Sequence, residues 1–175
     1  MASSPTMDNQ SLITEPHRLN GSWRVWAHLP HDTDWTVKSY IDIFKVDTVE
    51  EAIVLFETIP ENMVKNCMLF IMRDGIQPLW EDPRNRNGGC FSYKILNKSV
   101  PTCWKYLAYA LFGESLTVNP QLSGIINGIT ISPKKNFCII KIWLSVCTHQ
   151  NPQIIREIKD IAALGCLFKK HAPEY

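Results

Sequence analysis

The chain has 175 residues, 45% of them apolar and 20% charged, with a formal net charge of +1. That is the composition of one ordinary globular domain, long enough to bury a core. It excludes a helical membrane protein, because no apolar run approaches the roughly 18 residues needed to span a bilayer.

Residues 1–20 lack periodicity and read as a flexible tail, leaving residues 21–175 as the domain. Met1 to Gln10 are polar and lack the apolar centre of a signal peptide, so the expected location is cytoplasmic, with a nuclear pool left open. "WRVWAHL" and "WTVKSYIDIFKV" read as strands, with the turn "PHDTD" between them. "DTVEEAIVLFETI" carries a capping box, Thr48 with Glu51, and then repeats Val49, Ala52, Ile53 and Phe56 at helical spacing. "NCMLFIMR" is a strand running into the turn signal Asp74-Gly75, and "CFSYKIL" is another. "PTCWKYLAYALFGE" places Trp104, Leu107, Ala108 and Leu111 on one face of a second helix. "SGIINGITIS" and "FCIIKIWLSV" form strands around "PKKN"; "NPQIIREIKDI" predicts a third helix from Pro152, and "GCLFKK" a last strand. Consecutive hairpin-like strands interrupted by helices predict an α+β fold, a curved and mainly antiparallel sheet with about three helices on its convex face.

The six cysteines form no C-x-x-C pair and the histidines complete no zinc pattern. Cys67, Cys103 and Cys138 sit in apolar runs and read as reduced structural thiols. Cys147 and His149, two apart, would share a strand face, but no third orienting group accompanies them. The small net charge hides an asymmetry. Asp42, Asp47, Glu50, Glu51, Glu57 and Glu61 crowd one segment, whereas Arg84, Arg86, Lys94 and Lys98, and then Lys134, Lys135 and Lys141, occupy acid-free stretches. Either these are two solvated faces or they form a local anion site, since holding phosphate needs clustered cations rather than a basic protein.

Six tryptophans call for an explanation. Trp104 lies on a helix face, and Trp23 and Trp26, three apart in a strand, point to opposite faces. Trp35 follows an Asp-rich turn, and Trp80 stands in "GIQPLWEDPRNRNGG" beside Glu81, just before Asp-Pro. Asp-Pro and Gly-Gly are turn chemistry, so this indole and carboxylate belong on a loop that water can reach.

The ordered set Trp23-x-x-Trp26, Trp35, "VDTVEE", "DGIQPLWED" with a following Gly-Gly, "CW" then "FGES", and "IIKIW" resembles the eukaryotic translation initiation factor 4E family of mRNA cap-binding proteins. The resemblance runs from about His17 to Cys147 and more loosely beyond. It implies a cap-binding domain over residues 21–175 with the cap slot on the concave side of the sheet. It also implies a monomer without cofactor, metal or membrane association. Trp35 and Trp80 would clamp the positively charged 7-methylguanine, a cation–π contact worth about 2 kcal/mol or more when desolvated. Glu81 would accept from the base N1–H and exocyclic amine, the Trp80 backbone N–H would reach O6, and Trp143 would pack near the methyl group.

For the phosphates, the family's strand-borne arginine corresponds to Ser132, its basic residue four before the tryptophan to Ile139, and its arginine after Gly-Gly to Cys90. Lys134, Lys135 and Lys141 are the expected replacements, Lys141 sharing strand parity with Trp143. On the back surface the family docks a helical motif of the four-G scaffold or of 4E-binding repressors. The corresponding positions here are His17 and Leu19, Val49, Ile53 in place of a tryptophan, and Tyr109. The implied function is capture of capped mRNA for translation initiation. The alternatives are a cap-sequestering repressor with altered scaffold binding, and a hydrolase using Glu81 or a cysteine. Against the hydrolase, the sequence has no paired carboxylates at metal-ligand spacing and no Gly-rich phosphate loop.

Overall fold

Along β1 (Arg18–His28), Trp23, Val25 and Ala27 are buried in the main core, while Trp26 packs into a second cluster on the opposite face. This alternation repeats across a seven-stranded antiparallel sheet in a computed structural model that describes residues 15–173. The other strands are β2 (Tyr40–Thr48), β3 (Met68–Arg73), β4 (Gly89–Leu96), β5 (Ile126–Pro133), β6 (Phe137–Leu144) and β7 (Leu167–Lys170). Their order is β2-β1-β3-β5-β6-β4-β7. Register shifts in the β1–β2 pairing, between Arg18 and Trp23 and between Val25 and Trp26, and another in β5–β6 between Ile126 and Gly128, are the irregularities that bend and twist such a sheet.

Three helices cover one face: α1 (Val49–Thr58), α2 (Glu61–Asn66) and α3 (Val100–Phe112). The capping box of α1 forms as expected, with the Glu51 N–H donating to Thr48 Oγ1 at 3.2 Å and the Thr48 N–H to Glu51 Oε2 at 3.0 Å. Only Ala52 and Leu55 of α1 are buried, however, and Val49 and Ile53 of the expected apolar stripe are 42% and 44% exposed. In α3, Trp104, Leu107, Ala108 and Leu111 all enter the core with Val100, Cys103 and Phe112.

Three expectations need correction. The third helix is not at Pro152, where the chain makes one short 3-10 turn (Pro152–Ile154). Backbone pairing captures that segment instead: Thr117 bridges Ile155, and the Arg156 N–H donates to the Leu116 carbonyl at 2.8 Å. The third helix is α2, too short to show a period in sequence and anchored by buried Val64. Trp35 also precedes the second strand, since Val37–Ser39 is a 3-10 turn and β2 opens at Tyr40. β1 opens at Arg18, so the last residues of the expected tail belong to the sheet; residues 1–14 lie outside the described residues.

Candidate functional site

The concave face carries the second apolar cluster, built on Phe70, Met72, Ile76 and Trp143, with Trp26, Tyr40, Met68 and Trp80 packed against it. Above it opens a cleft of about 740 Å³. Trp35, Trp80, Glu81, Trp143, Lys134 and Lys141 all line this cleft, drawn together from a loop, a second loop, strand β6 and the turn that precedes it. Lys135, in the turn between those strands, is exposed and does not line it. Thr130 and Ser132 of β5 complete its floor, and Thr130 Oγ1 is buried without a hydrogen-bond partner among the described residues.

Each loop is built to hold its indole. Asp32 and Asp34 fold the first by Asx-type bonds: the Asp34 N–H donates to Asp32 Oδ1 (2.9 Å), and the Thr36 N–H and Oγ1–H donate to Asp34 (2.8 and 3.0 Å). The two bonds from Thr36 hold the Asp34 carboxyl below its usual range. His28 then stacks on Trp35, with ring centroids 4.1 Å apart and planes 1° from parallel. Its Nε2 lies 2.8 Å from the Asp34 carbonyl, which fixes the proton on that nitrogen, because a carbonyl only accepts. One face of Trp35 is thereby covered, yet the residue stays 55% exposed on the cleft. His28 was not legible as a site residue in sequence; its only signal is its position two residues beyond Trp26, on the same strand face.

The second loop starts where Gly75, at φ 79°, turns the chain after β3. Buried Asp82 accepts from the Gln77 N–H (2.9 Å) and the Arg84 N–H (2.8 Å). Fully buried Asn85 donates to the carbonyls of Gln77 (3.0 Å) and Leu79 (2.8 Å) and accepts from Asn127 (2.9 Å), whose amide also bonds the Arg84 carbonyl. Trp80 and exposed Glu81 sit at the tip of this cage. Gly88 closes it. A Cβ there would lie 1.8 Å from the Leu144 carbonyl oxygen, and its own carbonyl accepts from the His171 N–H (3.0 Å) and the Cys147 thiol (3.0 Å). Cys147 is therefore tied to this corner, and β6 ends at Leu144, so the expected strand face shared by Cys147 and His149 does not exist.

A second histidine supports Trp80. His171, just past β7, stacks on it at 5.6 Å with planes 17° apart and tilts against Trp143 at 4.8 Å. Its Nδ1 lies 2.6 Å from the Asn85 carbonyl, so the proton is on Nδ1, and Nε2 is buried without a partner among the described residues. Burial pushes its pKa down and the Lys141 charge adds to this; the Asn85 bond and the Glu81 charge oppose. A depressed imidazole pKa stabilises the fold above the ordinary imidazole range and loses that contribution as pH falls through it. Acidification from pH 7 to about 5 should therefore destabilise the wild-type protein measurably more than His171→Phe, followed by thermal melting. Across the cleft, Tyr40 is edge-on to both His28 and Phe70, and burial, helped by the Glu81 charge, raises its hydroxyl pKa to about 12.

The back surface places the remaining predicted residues. His17 is exposed, with Nδ1 2.7 Å from Glu50, and its carbonyl accepts from the Val49 N–H. Val49 and Ile53 follow along α1, Tyr109 packs edge-on to Phe56 of the same helix at 5.3 Å, and Leu19 is partly buried against the core.

This arrangement can be set beside known proteins. The model of the family described as "Eukaryotic initiation factor 4E" matches residues 18–172. The chain belongs to the eukaryotic initiation factor 4E family. It is 26% identical over 151 residues to a Capsicum annuum initiation factor isoform 4E, covering 83% of this chain and 73% of that protein. It is 27% identical over 149 residues to Schizosaccharomyces pombe initiation factor 4E-2, covering 81% of this chain and 59% of that protein. A 4E homolog of Acanthamoeba polyphaga mimivirus is 47% identical over 62 residues, 35% of this chain and 23% of that protein. The fold superposes on a schistosome 4E protein complexed with m7GpppG and a 4E-binding protein (TM-score 0.69, 23% identity, 78% of this chain and 76% of that one). It likewise superposes on the C. elegans 4E-3 protein complexed with the 4E-binding protein Mextli and a cap analog (TM-score 0.68, 21% identity, 76% of each chain). The family fold, a seven-stranded antiparallel sheet with helices on one side, is thus the one built here.

Proposed function

We propose that this 4E-family chain binds the 7-methylguanosine 5′ cap of mRNA without catalysing a reaction on it, and so recruits mRNA for translation initiation. The observation that carries this reading is that Trp35 and Trp80 line one cleft with Glu81 and Trp143. The cap's base is a flat cation, and the cleft offers it two indoles and a carboxylate. Trp35 stacks on it with the ring face that His28 leaves open, and Trp80 takes the other side. Cation–π attraction supplies about 2 kcal/mol or more for a desolvated cation, and stacking about 1–3 kcal/mol per base. Glu81 accepts from N1–H and the exocyclic amine, a donor pair that adenine lacks, and Trp143 packs near the methyl group. The schistosome and C. elegans proteins, solved in complex with m7GpppG and with a cap analog, support the reading.

Glu81→Gln tests it. A glutamine keeps the size but turns one acceptor into a donor that faces the base's own donors. Affinity for 7-methyl-GTP should fall by about 10- to 100-fold, as expected for a lost charged hydrogen bond of roughly 1.5–3 kcal/mol. Calorimetry checks this, and an unchanged affinity would remove Glu81 from base recognition.

A second reading, a cap-sequestering repressor with altered partner choice, is favoured by α1. Val49, Ile53 and Val54 are exposed there, so the face is aliphatic and lacks an indole N–H to bind a partner carbonyl. NMR separates the readings. Shifts at Val49 and Ile53 on adding a four-G-type scaffold peptide favour recruitment, and their absence favours sequestration.

A further inference from the structure

Several cations away from the cleft hold carboxylates: Lys45 pairs with Asp47 and Asp74, Lys65 with Glu61, Arg24 with Asp42 and Asp74, and Arg73 with Glu114. Lys141 and Lys169 form no ion pair among the described residues, and both converge on Trp80. Their Nζ atoms lie 5.9 and 5.2 Å from its ring centroid.

Strand register explains the convergence. On β4, Cys90 is paired with Trp143 of β6 on one side and with Lys169 of β7 on the other, and Ser92 is paired with Lys141. Phe168 packs against Phe91 in the main core at 5.2 Å, so its neighbour Lys169 points to the concave face, as His171 does two residues later. The two ammonium groups thus flank buried Cys90 from adjacent strands. Burial keeps that thiol protonated, so Cys90 offers them no counter-charge. Like charges brought together without a partner anion repel, and a ligand phosphate placed between them relieves that repulsion.

We infer that Lys169 of β7, together with Lys141 of β6, holds the phosphate chain of the nucleotide whose base lies on Trp80. This inference rests on the cap-binding reading and adds β7 to the site, a strand whose sequence, "GCLFKK", gives no hint of a role. It also favours Lys169, whose Nζ lies 5.2 Å from the Trp80 ring centroid, over Lys135, which is exposed in the turn between β5 and β6. On binding, the two side chains move from the indole to the phosphates, a short travel for flexible four-carbon stems.

The test compares 7-methylguanosine with its triphosphate on wild-type protein, Lys169→Met, Lys169→Arg and, as a charge-matched control on the helical side, Lys65→Met. Lys169→Met should lower triphosphate affinity about tenfold, or about 1.4 kcal/mol, and make its salt dependence less steep by about one phosphate contact. Nucleoside affinity should stay within about twofold, since no phosphate is present to lose a contact. Lys169→Arg should restore most of the triphosphate affinity, and Lys65→Met should match wild type. Equal losses for nucleoside and triphosphate would overturn the inference by making Lys169 a support for Trp80 only; so would an unchanged triphosphate affinity. Inorganic tripolyphosphate, titrated calorimetrically on the same proteins, reads the lysines without the base. If the nucleoside fails to bind wild type, the base clamp falls, yet tripolyphosphate binding lost in Lys169→Met still supports the anion site.

Discussion

Trp80→Ala should reduce the affinity for 7-methyl-GTP by at least about a hundredfold. Removing the ring deletes one stacking partner, worth about 1–3 kcal/mol, and one cation–π partner, worth about 2 kcal/mol in a desolvated site. The loss should be smaller for GTP, whose neutral base keeps only the stacking term. The ratio of the two affinities therefore collapses along with the absolute value. Trp80 is partly buried at a loop tip, and its deletion leaves the Asp82 and Asn85 bonds in place, so the melting temperature should move little. Calorimetry is the right readout because the mutation also removes a reporter indole. A hundredfold loss with a large drop in stability would point to misfolding, and Trp80→Phe distinguishes the cases by restoring an aromatic face.

Asn85→Ala should do the reverse, damaging the fold first and the site through it. Its side chain holds the carbonyls of Gln77 and Leu79 and receives the Asn127 amide, all at a fully buried position. Truncation strands two carbonyls and weakens the tie to the Arg84 carbonyl. Leaving a buried polar group unsatisfied costs about 1–3 kcal/mol, so a loss of roughly 3 kcal/mol in urea-derived stability is expected. The denaturation midpoint should fall without a change in slope. A loss below about 0.5 kcal/mol, the range of an inconsequential surface change, would mean that the loop is held by something else.

These two residues show what the sequence could and could not reveal. Trp80 was legible because a large aromatic before Asp-Pro breaks the usual logic of a turn, and its order among the other tryptophans carried the family. Asn85 was not. An asparagine in a polar loop looks solvated until the fold brings Asn127, forty-two residues later, against it. The same holds for His28 and His171. Each becomes a site residue only because strand pairing or chain return brings its ring within stacking distance of an indole. The strands and α1 and α3 were readable from period and capping, which are local signals. The segment after Pro152 was misread because its helical spacing competes with backbone pairing to residues 116–118, a non-local contact that wins. Likewise Lys134, Lys135 and Lys141 were grouped by proximity in sequence. Strand geometry leaves Lys135 off the cleft lining and brings Lys169 of β7 to the Trp80 ring, because sheet neighbours need not be chain neighbours.

Tryptophan fluorescence of the unmodified protein, titrated with 7-methyl-GTP and in parallel with GTP, reads whether the two indoles clamp the methylated base. Saturable quenching by both is expected, with the methylated nucleotide bound more tightly by roughly 2–4 kcal/mol, the cation–π contribution of the two rings. Equal affinities, or no quenching by either, would contradict the cap-binding reading, because two indoles that ignore the charge on the base are not a cap clamp.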